Sequence, residues 1–247
     1  MTRRRWIADE VRGNTAALVG EHALHLTRVL RAEVGQEFDI ATGDTVRRGR
    51  ITTISGDRVE FALGAEQVIR PAPCVTLVLA IFKFDRMEWA IEKCTEIGVA
   101  RIIPVIARRT DTHLASAALK RHERWQRIAL QAAEQSRRAA PPEIAAPVKL
   151  EDLGSAGVAP AGGPETGAAS VCRIVLAESE DDRRLRDALQ AHSGEAVLAV
   201  GPEGGWTDDE LHWFRESGWV ASSLGNTILR AETAAIVAAA LALDALR

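Results

Sequence analysis

The run Val75-Thr76-Leu77-Val78-Leu79-Ala80-Ile81 restricts the possible folds more than any other segment of the chain. It is apolar almost without interruption, as a strand must be when both of its faces are buried, and such strands sit in parallel sheets flanked by helices. The rhythm after it agrees. Met87, Ala90, Ile91, Cys94 and Ile97 recur at helical spacing, and Gly98 stands where a C-cap glycine belongs. Residues 102–106 read as a second strand, and 116–139 as a long basic helix stopped by Pro141-Pro142. Strands over 172–177, 196–200 and 219–224 then alternate with helices over 182–191 and 208–217, and an almost wholly apolar helix over 231–246 closes the chain. The pattern predicts an α/β domain with a mostly parallel sheet. Residues 154–170, rich in Gly, Ala and Pro, read as a mobile loop.

The first 70 residues follow another rule. Short segments over 37–41, 48–54 and 58–63 cluster or alternate apolar residues at period two. Thr42-Gly43-Asp44 and Ser55-Gly56-Asp57 supply turns, and 22–30 fits a short helix. A small β-barrel-like module over 1–70 is expected. The stiff Pro71-Ala72-Pro73 marks the boundary to a second domain over 74–247.

Charge matters only when divided along the chain. The net value is −3, but residues 101–140 hold 9 Lys/Arg against 3 Asp/Glu, and 141–247 hold 8 against 17. A polyanion-binding surface would therefore draw on 101–140 and some N-terminal arginines, and the competing reading is a solvated helix face. Three cysteines (Cys74, Cys94 and Cys172) form no CxxC pair, which fits core thiols in a reducing cytoplasm. No apolar run is long enough to cross a membrane, and the N-terminal stretch is not expected to be a signal peptide. His22 and His25 lack a nearby ligand cluster, so no metal is expected. Trp6, beside the basic start, is a possible base-stacking residue, whereas Trp89, Trp125, Trp213 and Trp219 read as core.

Two segments carry the chemistry. Gly201-Pro202-Glu203-Gly204-Gly205 leaves a strand and precedes a helix that Thr207 can cap, with Glu210 three residues on. It lacks the Lys-Ser/Thr of a phosphate-binding loop and the dinucleotide fingerprint, and Glu203 would repel phosphate, so a neutral or cationic ligand is favoured. Leu224-Gly225-Asn226-Thr227-Ile228-Leu229-Arg230-Ala231-Glu232-Thr233 also leaves a strand and enters a helix, bringing Arg230 and Glu232 to its mouth. The plain alternative for these two is an Arg–Glu pair at a helix start.

Together these segments resemble the RsmE-type methyltransferases of the SPOUT superfamily, which methylate N3 of a uridine in 16S (small-subunit) ribosomal RNA. Residues 25–31 (HLTRVLR), 93–99 (KCTEIGV), 123–128 (ERWQRI) and 134–138 (EQSRR) extend the resemblance over nearly the whole chain. Thr227 and Ala140 depart from it, standing where the family commonly has basic residues. The resemblance implies a PUA-like RNA-binding domain, then a SPOUT α/β domain with a C-terminal trefoil knot. It further implies a cytoplasmic homodimer using S-adenosylmethionine on ribosomal RNA or the assembled small subunit. Cofactor contacts would come from Leu176, Gly201, Pro202, Glu203, Gly204, Gly205, Leu224, Gly225, Ile228, Leu229, Arg230 and Thr233. For that reaction a positive group near the uracil carbonyl oxygens would stabilise the developing imide anion. Arg230 is the candidate, with Glu232 or Glu203 as weaker candidates for orienting it or taking the proton. RNA would be gathered by Arg3, Arg4, Arg28, Arg31, Arg137 and Arg138. A non-catalytic RNA-binding or ribosome-assembly factor with the same fold is the alternative, and an enzyme acting on transfer RNA is a third reading.

Overall fold

A computed structural model describes residues 5–43, 45–67, 73–158, 171–190 and 194–246. Most of the 154–170 loop, the linker before Pro73, and Arg3 and Arg4 lie outside the described residues. The described chain divides into two compact units. One comprises residues 1–71 with 133–141, and the other 72–132 with 142–247.

The first unit is a curled six-stranded sheet. Its strands are β1 (Arg5–Ile7), β2 (Glu10–Arg12), β3 (Thr15–Val19), β4 (Glu37–Ala41), β5 (Val46–Ser55) and β6 (Arg58–Gln67), in the order β1-β4-β5-β6-β3-β2. All pairs are antiparallel except β1 with β4. None of the three N-terminal strands announces itself by alternation: β1 and β2 are three residues long, and β3 is a short run, continuously apolar after Thr15. The expected helix over 22–30 is a single turn, α1 (Glu21–Leu24), continued by a π-helical turn over His25–Val29. Trp6 is not available for base stacking. It is buried in this unit's core with Leu18, Leu26, Ile40 and Phe61, edge-on to His25.

The second unit carries a parallel sheet. It is built from β7 (Cys74–Ala80), β8 (Arg101–Ile106), β9 (Glu143–Ile144), β10 (Val148–Lys149), β11 (Cys172–Leu176), β12 (Glu195–Val200) and β13 (Val220–Ser222). Its order is β10-β8-β7-β12-β11-β13, with β9 also on β8, and every pair is parallel. Because strand side chains alternate, Val75, Leu77 and Leu79 enter one core while Val78 and Ala80 enter another. On the first face the sheet is covered from α2 (Phe84–Ile97), α3 (Thr112–Gln135), α4 (Leu185–Leu189) and α6 (Ala231–Ala245). On the second it is covered by α5 (Asp208–Glu216) and a 3₁₀ turn over Leu150–Ala156. Residues 154–156 are thus helical and not part of a loop. Cys94 and Cys172 are buried, and burial pushes the Cys94 thiol up to about 12, while Cys74 is partly exposed. Trp89, expected in the core, is half-exposed. No helix among the described residues is long and apolar enough to cross a membrane.

Helix α3 ends four residues before the sequence pattern predicts. Arg137 takes a left-handed backbone (φ 61°), its N–H donates to Glu134 O at 3.2 Å, and Arg138 N–H donates to Ala133 O at 2.9 Å. That is a Schellman stop, with an arginine where glycine is usual. The helix therefore ends before Pro141-Pro142, and its last turn belongs to the first unit.

Candidate functional site

The carboxyl ends of β11, β12 and β13 share one edge of the parallel sheet, where open α/β sheets bind ligands. A cavity of about 490 Å³ lies there, a volume that suits a ligand of nucleoside size or somewhat larger. Both motif loops line it. Leu176, Gly201, Pro202, Glu203, Gly204, Gly205, Leu224, Ile228, Leu229 and Arg230 are on its wall, joined by Ser222, Thr227 and two arginines that the sequence did not single out, Arg86 and Arg109. Gly225, Glu232 and Thr233 are next to wall residues in sequence but not on the wall itself.

The first loop is held by hydrogen bonds on several sides. Gly205 N–H donates to Pro202 O at 2.8 Å, closing a tight turn, and Gly205 itself leaves that turn with a left-handed backbone (φ 68°) that favours glycine. Arg109 Nη1 donates to Gly204 O at 2.5 Å and to Trp206 O at 3.3 Å. Thr207 caps α5 in a capping box: its hydroxyl accepts from Glu210 N–H, and Glu210 accepts from Thr207 N–H at 2.8 Å. The other oxygen of buried Glu210 accepts from Arg108 N–H at 2.8 Å, so the segment after β8 is tied to the start of α5. A Cβ on Gly201 would come within 3.2 Å of the Trp206 indole, so this glycine makes room for the loop's own tryptophan.

The second loop stands further out. Asn226, Thr227 and Arg230 are exposed, and Ile228 is 80% exposed. Asn226 Oδ1 accepts from Arg184 Nη2. At the loop's base, Ala177 N–H donates to Ser222 O, Ser223 N–H to Arg183 O, and Leu185 N–H to Ser223 O, lacing the segment after β11 to the end of β13. Arg230 is the N-cap residue of α6, in extended conformation, and its side chain makes no capping bond. Glu232, expected beside Arg230 at the mouth, is instead buried in the first turn of α6, and its ion pair is with Arg86 at 3.5 Å.

The basic segment is partly neutralised by its own neighbours. Arg124 makes a bidentate contact with Glu88 (2.7 and 2.8 Å), and Arg121 approaches the same carboxylate and lies over the Phe84 ring. The first unit carries Arg28, Arg31 and Arg137, all exposed. Arg31 (φ 51°) and Arg137 are the non-glycine residues with left-handed backbone among those described. Arg138 is half-buried, which pulls its guanidinium below the usual arginine range, and Arg5 donates to the carbonyl of Arg137. His22 sits between Asp9 (2.9 Å) and Glu134 (3.4 Å) and so ties the end of α3 to the strands of this unit.

Comparison with known proteins agrees with this geometry. A family model described as an RNA methyltransferase domain matches residues 70–243. Over 229 residues the chain is 37% identical to ribosomal RNA small subunit methyltransferase E of Synechocystis, spanning 92% of this chain and 72% of that one. It is 33% identical over 237 residues to the protein of the same name from Mycobacterium bovis, spanning 92% and 85%. The crystal structure of ribosomal RNA small subunit methyltransferase E from Neisseria gonorrhoeae bound to S-adenosyl methionine matches with a TM-score of 0.81 at 29% identity, covering 97% of this chain and 96% of that one. A chain with this sheet edge, these two loops and these relatives belongs to the RNA methyltransferase family, in the group of the ribosomal RNA small subunit methyltransferase E proteins.

Proposed function

We propose that this protein methylates N3 of a uridine in 16S ribosomal RNA with S-adenosylmethionine as donor. The observation that carries the reading is the cavity at the carboxyl edge of β11, β12 and β13, walled by a glycine-rich loop and an arginine-bearing loop in a member of this family. The walls fit the cofactor. Leu176, Leu224 and Leu229 offer apolar surface for an adenine, and the backbone of Leu224, Gly225, Ile228 and Leu229 offers partners for its polar edge. Gly201, Pro202, Glu203, Gly204 and Gly205, with Thr233 nearby, would receive the ribose and methionine parts. The carboxylates of Glu203 and Glu232 at this edge suit a cationic ligand and oppose a phosphate.

Bound S-adenosylmethionine supplies a methyl group activated by sulfonium for in-line displacement. Uridine N3 carries a proton and is a poor nucleophile until that proton leaves. Arg230, exposed on the cavity wall, supplies positive charge to the developing imide anion. Glu203, also on the wall, is better exposed than Glu232 to accept the proton. Holding nucleophile and methyl group in line is the larger part of the task, and it falls to the two loops.

The first unit, with residues 1–70 as a PUA-like domain, gathers RNA through Arg28, Arg31 and Arg137, with Arg3, Arg4 and Arg138 as further contacts. Residues 74–247 form the SPOUT domain. The lacing of residues 177–185 to 222–223 supports a trefoil knot there. Exposed Ile228 and Leu241 (41% exposed) on and beside an apolar helix support a homodimer that covers them. Ribosomal RNA as substrate implies work in the cytoplasm.

Mapping methylated uridines in ribosomal RNA from cells lacking the gene tests the proposal. One 3-methyluridine in 16S RNA should vanish and return with the wild-type gene. An unchanged map would overturn the activity and leave an RNA-binding or assembly role.

A further inference from the structure

A charge cluster that neither motif announces reaches from the cavity wall into the first turn of α6. Arg86, in the first turn of α2, holds Nη1 3.6 Å from Glu203 Oε1 and 3.5 Å from Glu232 Oε1. Glu203 belongs to the first loop, and Glu232 to the helix turn that follows the second. One guanidinium therefore spans the two segments that wall the cavity. The three side chains differ in exposure: Arg86 31%, Glu203 39% and Glu232 7%.

The buried member decides the reading. Glu232 Oε2 is out of solvent and has no hydrogen-bond partner among the described residues. A carboxylate in that position is costly unless a counter-charge stands close. The amino end of α6 contributes a favourable dipole, but a dipole is worth less than a full charge. Arg86 supplies that charge, and the same Nη1 that faces Glu232 also faces the Glu203 carboxylate. With two carboxylates and one guanidinium, the cluster keeps a net negative charge next to a site for a cationic ligand.

We propose that Arg86 is a positioning residue that bridges Glu203 and Glu232 and thereby sets the spacing of the two cofactor loops. The proposal rests on the reading that S-adenosylmethionine occupies this cavity. Without Arg86, Glu232 is buried without its paired cation and Glu203 loses its anchor, so both loops shift while the outer sheet remains. A solvent-exposed Arg86–Glu203 pair alone would have little effect. The test must therefore isolate the link to Glu232.

Arg86→Met, Glu232→Gln, the double variant and Arg86→Lys should be compared in S-adenosylmethionine calorimetry, steady-state kinetics and urea unfolding. Each single change should weaken cofactor affinity about tenfold, and the double variant should lose no more than either single, because one interaction is removed in all three. Arg86→Lys should recover most of the loss. The KM for cofactor should rise more than kcat falls. Losses that multiply to about a hundredfold in the double variant, or Arg86→Met binding within twofold of wild type, would overturn the bridge. Should Arg86→Met fail to fold, Glu232→Gln and Arg86→Lys still decide. About tenfold weaker cofactor binding in Glu232→Gln with Arg86→Lys near wild type supports the bridge, and unchanged affinity in Glu232→Gln refutes it. If wild type itself does not bind S-adenosylmethionine, the reading of the cavity fails instead, and non-additive urea midpoints for Arg86 and Glu232 still test their link.

Discussion

The loop over 201–206 and the loop over 224–230 leave strands of the same sheet edge and wall the same cavity, yet they are held in opposite ways. The first is tied on several sides: a closed turn at Gly205, two bonds from Arg109, and the capping box of Thr207 and Glu210 just beyond. In the second, Asn226, Thr227 and Ile228 point outward, and the side-chain tie is from Arg184 to Asn226. The difference teaches a division of labour. If S-adenosylmethionine occupies the cavity as proposed, the tied loop forms the floor against which it is oriented and the looser one is free to close over it, because loops that move in function come from the less stable parts of a structure.

Breaking the floor should have the largest effect. A Cβ on Gly204 would already meet the Arg109 side chain at 3.3 Å, and valine adds two methyl groups in the same crowded space. Gly204→Val should lower cofactor affinity on the order of a hundredfold in calorimetry while far-UV circular dichroism stays native. Undiminished affinity would remove this loop from the site.

Glu210→Ala comes next. It strips acceptors from Arg108 N–H and from Thr207, in a buried position. Urea unfolding should lose about 2 kcal/mol. Arg109→Met removes only the partly exposed donor to Gly204 O and Trp206 O, and should cost about 1 kcal/mol with a several-fold rise in the cofactor Kd. The smallest effect belongs to the second loop. Asn226→Ala releases one exposed side-chain bond and should change stability by no more than about 0.5 kcal/mol. A larger loss there than at Glu210 would reverse the comparison.

The two loops were also unequally legible in the sequence. Everything local to the first could be read directly, since Thr207 and Glu210 are three residues apart and the glycines stand together. The parallel sheet was equally plain, because a buried strand must be apolar on both faces and Val75–Ile81 satisfies that. Arg86, Arg109 and Arg184 could not be read. They come from α2, the segment after β8 and the turn before α4, and only the strand order β8-β7-β12-β11-β13 brings them to this edge. The stop of α3 escaped for another reason. Arginine is an unusual residue for the left-handed position at 137, so the pattern ran on toward the prolines. The burial of Glu232 was hidden as well, since neither its helix position nor its neighbours in sequence reveal that its partner is Arg86.

Hydrogen exchange with and without S-adenosylmethionine tests the account most directly. The amides of Gly205 and Thr207, whose N–H groups donate to Pro202 O and to the Glu210 carboxylate, should already exchange slowly in the free protein and gain little, whereas those of 225–229 should exchange fast and become strongly protected once the cofactor is added. Protection that appears away from both loops, or that leaves 225–229 unchanged at saturating cofactor, would contradict the assignment of this cavity as the methyl-donor site.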